Sequence, residues 1–459
     1  MISMPISEAA LAMGGELFGS DQIFDGVSTD SREIQSGELF FALKGEHFDG
    51  HDMCATVNRL GAVASVVEKD TDTPLPFVKV KDTRAALGDL AQHWRNKFPV
   101  KVVGVTGSNG KTTTKEMLAS ILSHAGNVLA TKGNFNNEIG LPKTLFELSA
   151  EHEFVVVEMG ANHSGEIARL AKIANPHIGI ITLCAPAHLE GFGSIEGVAK
   201  AKGEIFANLS EKGVAIINAD DDYCEYWCEV SGERRQLKFG LTSQSADIFA
   251  TEVDTKSLGG GTSFKINFEG ASAQAFVPHD GIHNVLNALA AGAAALALGC
   301  TIEQVITGLA QSSVVSGRLN ILRLNDWTQV IDDTYNANPA SLMAAVSVAA
   351  AGDEACWVVM GDMGELGADG QDIHANCGRE IASLGVERLF TYGKLASAAA
   401  RTFGTKGFSF EDKDKLLAAL RGQMTAFKNN PLTILVKGSR SVKMETVVAG
   451  LLEQGDLTC

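Results

Sequence analysis

The sequence predicts an α/β protein of three domains. Apolar strands alternate with helical segments from about residue 100 to residue 313, and the same alternation restarts after residue 318. Alternating strands and helices form βαβ units, so each of these regions is expected to build a mainly parallel sheet. A chain of 459 residues is also too long for one hydrophobic core. The expected domains are residues 1–82, 83–313 and 314–459.

The first domain is expected to be a small α/β unit, because short apolar segments alternate there with turns. Its predicted strands are residues 27–29, 39–43, 64–67 and 77–80. A helix predicted from residue 83 to about 97 then leads to Pro99, which marks a boundary before the next strand.

The central and third regions each predict a doubly wound sheet. Predicted central strands are residues 100–105, 154–157, 178–183 and 214–218, with an antiparallel ribbon at 236–280 and a packed helix at 284–298. The third region is expected to be Rossmann-like, with strands at 329–332, 357–360, 389–392 and 432–436 and helices at 341–350, 373–384, 394–403 and 413–427.

A phosphate-binding loop is predicted between the first central strand and the helix after it. Glycines at 107 and 110 allow the backbone N–H groups to converge on phosphate oxygens at the positive end of a helix. Lys111 can reach the β- and γ-phosphates, and the Thr112 hydroxyl can ligate Mg²⁺. Val105 stands where the strict pattern has glycine, and the alternative is an ordinary turn capped by a lysine. The predicted ATP-binding residues are Gly107, Ser108, Asn109, Gly110, Lys111, Thr112 and Thr113.

Three further side chains are candidates for the same edge of the central sheet. Glu158 directly follows a buried strand, where a carboxylate commonly holds Mg²⁺ opposite the phosphate loop; the alternative is a surface or capping glutamate. His188 lies beyond the next strand, and a functional and an incidental role are equally favoured. Lys202 lies in a helical segment and, by composition alone, is a solvated surface residue.

Two polar loops could contact a substrate. The first contains Asn134, Asn136 and Asn137, whose amides both donate and accept hydrogen bonds, although it could also be a plain loop. The second follows the first strand of the third region, where a carboxylate could accept from ribose hydroxyls or could cap the next helix.

Composition excludes several classes of function. The formal net charge of −17 argues against nucleic acid as a partner, because a phosphate backbone requires a basic face. No apolar run reaches about 18 residues and no signal-peptide pattern opens the sequence, so no membrane insertion is expected. The eight cysteines have no CxxC pairs, which indicates a reducing cytoplasm and argues against a zinc module.

Taken together, these segments resemble the Mur ligases, ATP-dependent amide-forming enzymes that build the peptidoglycan stem peptide. The resemblance runs nearly end to end and is closest to members that add D-alanyl-D-alanine to a UDP-N-acetylmuramoyl-tripeptide. Near the N-terminus, residues 30–32 and 44–51 look like the uridine-nucleotide domain, with Met53 where the family often has an aromatic residue. The other matching segments are residues 106–116, 133–137, 281–287, 334–339 and 361–367.

The resemblance implies roles for individual residues. Lys202 matches a lysine that is carbamylated in several members, and Glu158 and His188 match the other metal positions, with two Mg²⁺ ions expected. The positions that match ATP-binding residues are Asn284, Arg318 and Asp333. Ser31 and Arg32 are expected near the uridine diphosphate, and Tyr335 and Asn336 are candidates for the D-Ala-D-Ala pocket.

The implied reaction activates the tripeptide carboxylate as an acyl phosphate, which the amine of D-Ala-D-Ala then attacks. A monomer is expected, because no segment resembles an assembly motif. Three alternatives remain open: a sister ligase that adds a single diamino acid, a folate polyglutamylating ligase, and a non-catalytic nucleotide-dependent switch. The Asp-Asn-Pro-Arg motif of ligases that add meso-diaminopimelate is absent from the sequence.

Overall fold

The computed structural model describes residues 1–70, 76–242, 244–255 and 258–453. Its strands form three large sheets that follow one another along the chain, together with a two-stranded ribbon near the N-terminus. The α/β class and the three-sheet organisation predicted from the sequence are confirmed. Within the described residues, no helix combines the length and the apolar character needed to cross a membrane.

The first sheet is built by residues 16–79 and has the strand order β2-β7-β6-β5-β4, with only the β2–β7 pair antiparallel. Strand β6 is buried along its whole length, which is consistent with its mostly apolar sequence, in which Ser65 is the one polar residue. The elements are β1 (Met4–Pro5), α1 (Ile6–Ala12), β2 (Glu16–Phe18), β3 (Ile23–Phe24), β4 (Val27–Ser28), β5 (Leu39–Phe41), α2 (Cys54–Leu60), β6 (Ala64–Val67) and β7 (Phe77–Lys79).

The central sheet has nine strands in the order β16-β15-β14-β13-β12-β11-β8-β10-β9. In chain order, the elements of the central region begin with α3 (Thr83–Asn96), β8 (Lys101–Thr106), α4 (Lys111–Leu122), β9 (Val128–Ala130), α5 (Gly140–Phe146), β10 (Phe154–Glu158), α6 (Glu166–Ala174) and β11 (Ile178–Ile181). The remaining elements are α7 (Leu189–Phe192), α8 (Ile195–Ala207), β12 (Val214–Asn218), α9 (Cys224–Ser231), β13 (Arg235–Gly240), β14 (Ile248–Thr255), β15 (Thr262–Phe268), β16 (Ala271–Val277), α10 (Ile282–Ala297) and α11 (Ile302–Ala310).

Helices cover both faces of this sheet. Successive side chains of its strands point to opposite sides, and on the central strands both sets are apolar and need to be buried. On β8, Val102 belongs to the core beneath α3, α5, α6 and α8, whereas Val103 belongs to the core beneath α4, α10 and α11. The alanine-rich helix α10, which was predicted as a packed helix, packs against the phosphate-loop helix α4.

The third sheet has the order β17-β18-β22-β19-β20-β21, with only the β17–β18 pair antiparallel. Helices again lie on both faces, as in a doubly wound fold. The elements are β17 (Asn320–Arg323), β18 (Thr328–Asp333), α12 (Pro339–Ala349), β19 (Ala355–Gly361), α13 (Gly370–Ser383), β20 (Arg388–Tyr392), α14 (Ser397–Phe403), β21 (Gly407–Phe410), α15 (Lys413–Ala426), β22 (Leu432–Lys437) and α16 (Glu445–Leu452).

The structure corrects the sequence predictions at several strands. Strand β13 pairs in parallel with β12, so the antiparallel ribbon begins only at β14 and not near residue 236. The third central strand ends at Ile181 rather than at residue 183, and beyond it the Leu183 carbonyl accepts a hydrogen bond from the Ser108 N–H of the phosphate loop at 2.9 Å. The unpredicted strands are β1, β2, β3, β9, β17 and β21, all of two to four residues. They lie at sheet edges or in the two-stranded ribbon.

Candidate functional site

The predicted phosphate loop lies between β8 and α4, as expected. Gly107 and Gly110 have φ angles of 148° and 80°, the region that glycine adopts without a steric penalty. A Cβ atom at Gly107 would lie 1.8 Å from the Thr182 hydroxyl oxygen, and one at Gly110 would lie 2.2 Å from the Asn287 side-chain oxygen. Both glycines are therefore required by conformation and by space.

Lys111 begins helix α4 and folds back over the loop. Its Nζ donates hydrogen bonds to the carbonyl oxygens of Gly107, at 2.8 Å, and Ser108, at 3.4 Å. Burial lowers the pKa of Lys111, and the negative charge of Glu158 opposes that shift. The ammonium group is thus held beside the loop. A nucleotide phosphate bound there would replace the Gly107 and Ser108 carbonyl oxygens as its hydrogen-bond acceptors.

Glu158 ends strand β10 beside the loop and is only 2% exposed. Its carboxylate accepts one hydrogen bond from the Thr112 hydroxyl and another from the Asn136 amide, both at 2.8 Å. Its backbone N–H donates to the Thr131 hydroxyl at 3.0 Å. The carboxylate is therefore fixed in orientation next to Thr112, and Asn136 contacts it directly.

Lys202 projects from helix α8 into the same region and is 3% exposed. The solvated position suggested by its composition is therefore wrong, whereas Lys200, two residues earlier, is exposed. Among the described residues, no hydrogen bond or ion pair partner contacts the Lys202 ammonium. Burial, assisted by the charge of Lys111, lowers the pKa of Lys202 to about 7.

His188 follows β11 and precedes the short helix α7. Its Nδ1 faces the Glu365 carboxylate, which comes from the loop after β19 in the third sheet. Burial lowers the pKa of His188, while the Glu365 charge opposes that shift. His188 is therefore held at the boundary between the central and third sheets.

Residues at the carboxyl edge of the third sheet reach the phosphate loop. Arg318 Nη2 donates a hydrogen bond to the Thr112 hydroxyl at 2.9 Å, and its guanidinium lies 4.3 Å from the centre of the Tyr335 ring. Asp333 pairs with Lys437 and accepts a hydrogen bond from the Leu319 N–H at 3.1 Å. The two sheets therefore share one site.

The amides of Asn109 and Asn338 form a second connection between these sheets. Each side chain donates to the other, at 3.2 Å from Asn109 and at 2.8 Å from Asn338. Asn338 also caps helix α12 by accepting from the Ser341 N–H at 2.9 Å. One side chain thus joins the phosphate loop to the start of a helix in the third sheet.

A cavity of about 760 Å³ connects these groups. Ser31 and Arg32 do not line it; the Arg32 side chain is 86% exposed and pairs with Asp30 at 2.5 Å. Thr112 does not line the cavity, but its hydroxyl donates a hydrogen bond to Glu158, which does. The predicted site residues that line the cavity are Gly107, Ser108, Asn109, Gly110, Lys111, Thr113, Asn134, Asn136, Asn137, Glu158, His188, Lys202, Asn284, Arg318, Asp333, Tyr335 and Asn336.

Several cavity residues were given no role from the sequence. Asn287 donates to the Asn284 side chain at 3.0 Å, and the neighbouring His283 has a pKa lowered to about 4 by burial. Arg84, at the start of α3, also lines the cavity. Glu365 and Asn338 lie inside segments that matched the family. Those segments did not predict their contacts with His188 and Asn109, which lie far away in the chain.

Three family models match successive parts of the chain. They are the Mur ligase family catalytic domain at residues 23–95, the Mur ligase middle domain at 105–295 and the Mur ligase glutamate ligase domain at 317–440. The UDP-N-acetylmuramoyl-tripeptide–D-alanyl-D-alanine ligase of Escherichia coli (strain K12) is 43% identical over 459 residues, which cover 100% of both chains. The chain belongs to the Mur ligase family.

Solved Mur ligase structures share the whole architecture. A crystal structure of MurF from Acinetobacter baumannii matches with a TM-score of 0.94 and 38% identity, covering 98% of this chain and 99% of that one. The MurF ligase of Thermotoga maritima in complex with ADP matches with a TM-score of 0.84 and 28% identity, covering 94% and 98%. The three-domain Mur ligase architecture is therefore present along the full chain.

Proposed function

We propose that this Mur ligase is an ATP-dependent amide ligase that adds D-alanyl-D-alanine to UDP-N-acetylmuramoyl-tripeptide, and so forms the pentapeptide precursor of peptidoglycan. One structural observation carries the proposal: a single cavity is lined by a phosphate loop, by a buried carboxylate and lysine, and by side chains from the third sheet. The 43% identity over the full chain to the Escherichia coli dipeptide ligase supports the substrate assignment.

The reaction has two steps. A carboxylate oxygen of the tripeptide attacks the γ-phosphorus of ATP, so that a P–O bond forms, ADP leaves and an acyl phosphate results. The free amine of D-Ala-D-Ala then attacks the activated carbonyl carbon, loses a proton and expels inorganic phosphate. Both steps depend on charge stabilisation and positioning rather than on covalent chemistry by the protein.

Lys111, Arg318 and the loop N–H groups are assigned to the ATP phosphates. The support is that Arg318 and Lys111 flank Thr112, the first hydroxyl of helix α4. Asp333, at the end of β18, is assigned to the ribose and Asn284 to the adenine side. The N–H groups of a loop at a helix N-terminus attract phosphate without any charged side chain. The positive charges of Lys111 and Arg318 strengthen this attraction.

Mg²⁺ fits the oxygen donors at the loop. The Thr112 hydroxyl and the Glu158 carboxylate approach to 2.8 Å, and both oxygen types suit this ion. When bound, Mg²⁺ neutralises charge that develops during phosphoryl transfer. Within the described residues, no cluster of three histidine, cysteine or acidic side chains could hold a metal ion. Thr112 and Glu158 would therefore hold Mg²⁺ together with water and phosphate oxygens.

A second Mg²⁺ is proposed near His188 and Lys202. An ammonium group repels a cation, so Lys202 can contribute only after its amine has combined with CO₂ to give an anionic carbamate. This addition requires the neutral amine. Burial favours that form, with a pKa of about 7, and the lysine has no acidic partner among the described residues.

The remaining substrate assignments follow the cavity. Asn134, Asn137, Tyr335 and Asn336 line it and are proposed to contact the UDP-linked peptide or the dipeptide. Asn136 is proposed to act through Glu158, to which its amide donates. Ser31 and Arg32 remain proposed contacts of the uridine diphosphate; they lie in the turn after β4 of the first sheet, outside the cavity.

The biological setting is part of the same proposal. We propose a monomer in the cytoplasm, with domains at residues 1–82, 83–313 and 314–459. The compartment is supported by the seven described cysteines, which are all free, and the domain ranges are supported by the three sheets, which fall within them. A reducing compartment is where unpaired cysteines persist.

The testing experiment measures phosphate release from ATP with UDP-N-acetylmuramoyl-tripeptide and different acceptors. Release with D-Ala-D-Ala, and none above background with D-alanine or meso-diaminopimelate, is expected. Release with a single amino acid on the UDP-linked dipeptide would instead identify a ligase of an earlier step. Release independent of any acceptor would support a nucleotide-dependent switch.

A further inference from the structure

The contact between His188 and Glu365 joins two separate parts of the fold. His188 follows β11 of the central sheet, and Glu365 follows β19 of the third sheet. The carboxylate contacts Nδ1 of the imidazole as an ion-pair partner. Both residues line the cavity, and among the described residues no hydrogen bond engages the other ring nitrogen, Nε2.

Both residues adopt an unusual backbone conformation. The φ angles are 52° at His188 and 62° at Glu365, in the left-handed region that only a few per cent of non-glycine residues occupy; asparagine, aspartate and histidine are enriched there, but glutamate is not. Such conformations persist only where the surroundings enforce them, and they concentrate at functional sites. Here two of them lie face to face across a domain boundary.

The loop that carries Glu365 is held firmly from behind. His374, which is fully buried in α13, accepts a hydrogen bond from the Met363 N–H at 2.9 Å and donates one from Nδ1 to the Gly370 carbonyl at 2.5 Å. The Asp362 carboxylate accepts from the Ala396 N–H at 2.7 Å. Glu365 is thus presented by a fixed loop, and not by a mobile segment that happens to meet His188.

We propose that Glu365 is a positioning residue for the metal-binding nitrogen of His188, so that the third domain completes the metal site when it packs against the central domain. A histidine that ligates a metal commonly donates its other N–H to a carboxylate, which fixes the tautomer and the ring orientation. The Phe192 ring packs edge-on against the imidazole, with the two ring centres 6.5 Å apart, and restrains it further. The inference rests on the proposed function, because it concerns the metal of that reaction.

The experiment measures Mn²⁺ binding by electron paramagnetic resonance in the presence of ADP, with Mn²⁺ replacing Mg²⁺. The variants are Glu365→Ala, Glu365→Gln, His188→Ala and the double variant His188→Ala/Glu365→Ala. Asp369→Ala is the matched control, because Asp369 is an exposed carboxylate close by on the same segment and makes no side-chain cap bond. Thermal unfolding checks that each variant is folded.

We expect Glu365→Ala to weaken Mn²⁺ binding about 10- to 100-fold, the usual effect of removing such a partner. Glu365→Gln should recover part of the loss, because its amide oxygen still accepts from Nδ1. The loss should vanish in the His188→Ala background, since the glutamate acts through the histidine. Asp369→Ala should bind Mn²⁺ as the unmodified protein does.

Two results would overturn the proposal. The first is unchanged Mn²⁺ affinity in Glu365→Ala, and the second is an equal loss in the presence and absence of the His188 side chain. The proposed function is tested separately by acceptor-dependent phosphate release from the unmodified protein. A failure of that assay would leave the Mn²⁺ comparison interpretable, because the comparison needs only ADP and the metal.

Discussion

Arg318 donates a hydrogen bond to the Thr112 hydroxyl across 2.9 Å, so a residue at the start of the third domain touches the first turn of the phosphate-loop helix. Its guanidinium also lies over the Tyr335 ring, 4.3 Å from the ring centre. These two contacts hold a permanent positive charge beside the phosphate loop. The site is therefore complete only when both domains contribute.

Replacing Arg318 with alanine should lower kcat on the order of 100-fold, as expected when one preorganised donor to a developing charge is removed. Steady-state phosphate release measures this effect. Arg323→Ala is the control, because Arg323 is exposed on β17 and outside the cavity. A kcat for Arg318→Ala within twofold of that of the unmodified protein would remove Arg318 from the phosphoryl-transfer site.

The lowered pKa of Lys202 predicts a specific dependence of stability on pH. With a pKa of about 7 in the folded protein and about 10.5 when unfolded, the unfolded state binds the extra proton between these values. Neutral Lys202 therefore makes its full contribution to the free energy of unfolding above about pH 10.5. This contribution is lost, and the protein becomes less stable, as the pH falls to about 7.

In CO₂-free buffer at pH 7.5, Lys202→Met should therefore be more stable than the unmodified protein, by about 1–3 kcal/mol. Urea unfolding at a series of pH values measures this difference, which should shrink towards pH 10.5. Lys200→Met, on the exposed side of the same helix, should show no such trend. A constant difference between Lys202→Met and the unmodified protein at all pH values would contradict the buried, neutral lysine.

Asn338 has two roles: it caps helix α12, and it pairs with the Asn109 amide across the domain boundary. We predict that different substitutions at this position separate these roles. Asn338→Ser keeps an N-cap side chain for α12 but loses the bonds to Asn109, whereas Asn338→Ala loses both. Both variants should lose activity, by about 10-fold. Only the alanine variant should also lose about 1 kcal/mol of unfolding free energy. Full activity in Asn338→Ser would show that the amide pair is dispensable.

Closure of the third domain over the central one, with a hinge near residues 313–317, is a further prediction. Closure keeps water from the acyl phosphate, which would otherwise hydrolyse. Small-angle X-ray scattering should give a smaller radius of gyration when an ATP analogue and the UDP-linked tripeptide are both present. Superimposable scattering curves with and without these ligands would count against closure.

The sequence was most informative where function depends on neighbouring residues. The phosphate loop was predictable because its glycines, its lysine and its flanking strand and helix are contiguous, and Glu158 because it directly follows an apolar strand. The parallel sheets followed from the same alternation of strands and helices. Short edge strands such as β17 and β21 were missed because they bury few side chains and so carry little apolar pattern.

Contacts across the domain boundary could not be predicted in this way. Asn109 and Asn338 are 229 positions apart, and no local pattern specifies which amide meets which. The same holds for His188 with Glu365. Lys202 shows the converse problem: its helix sequence suits a solvated lysine, and only packing against the central sheet buries it.

The most direct test of the central claim follows the oxygen atoms. UDP-N-acetylmuramoyl-tripeptide labelled with ¹⁸O in its terminal carboxylate is incubated with ATP and D-Ala-D-Ala, and the released phosphate is analysed by mass spectrometry. An acyl phosphate requires one carboxylate oxygen to leave with each phosphate, so each phosphate should carry one ¹⁸O atom. Unlabelled phosphate accompanying amide formation would contradict the acyl-phosphate route.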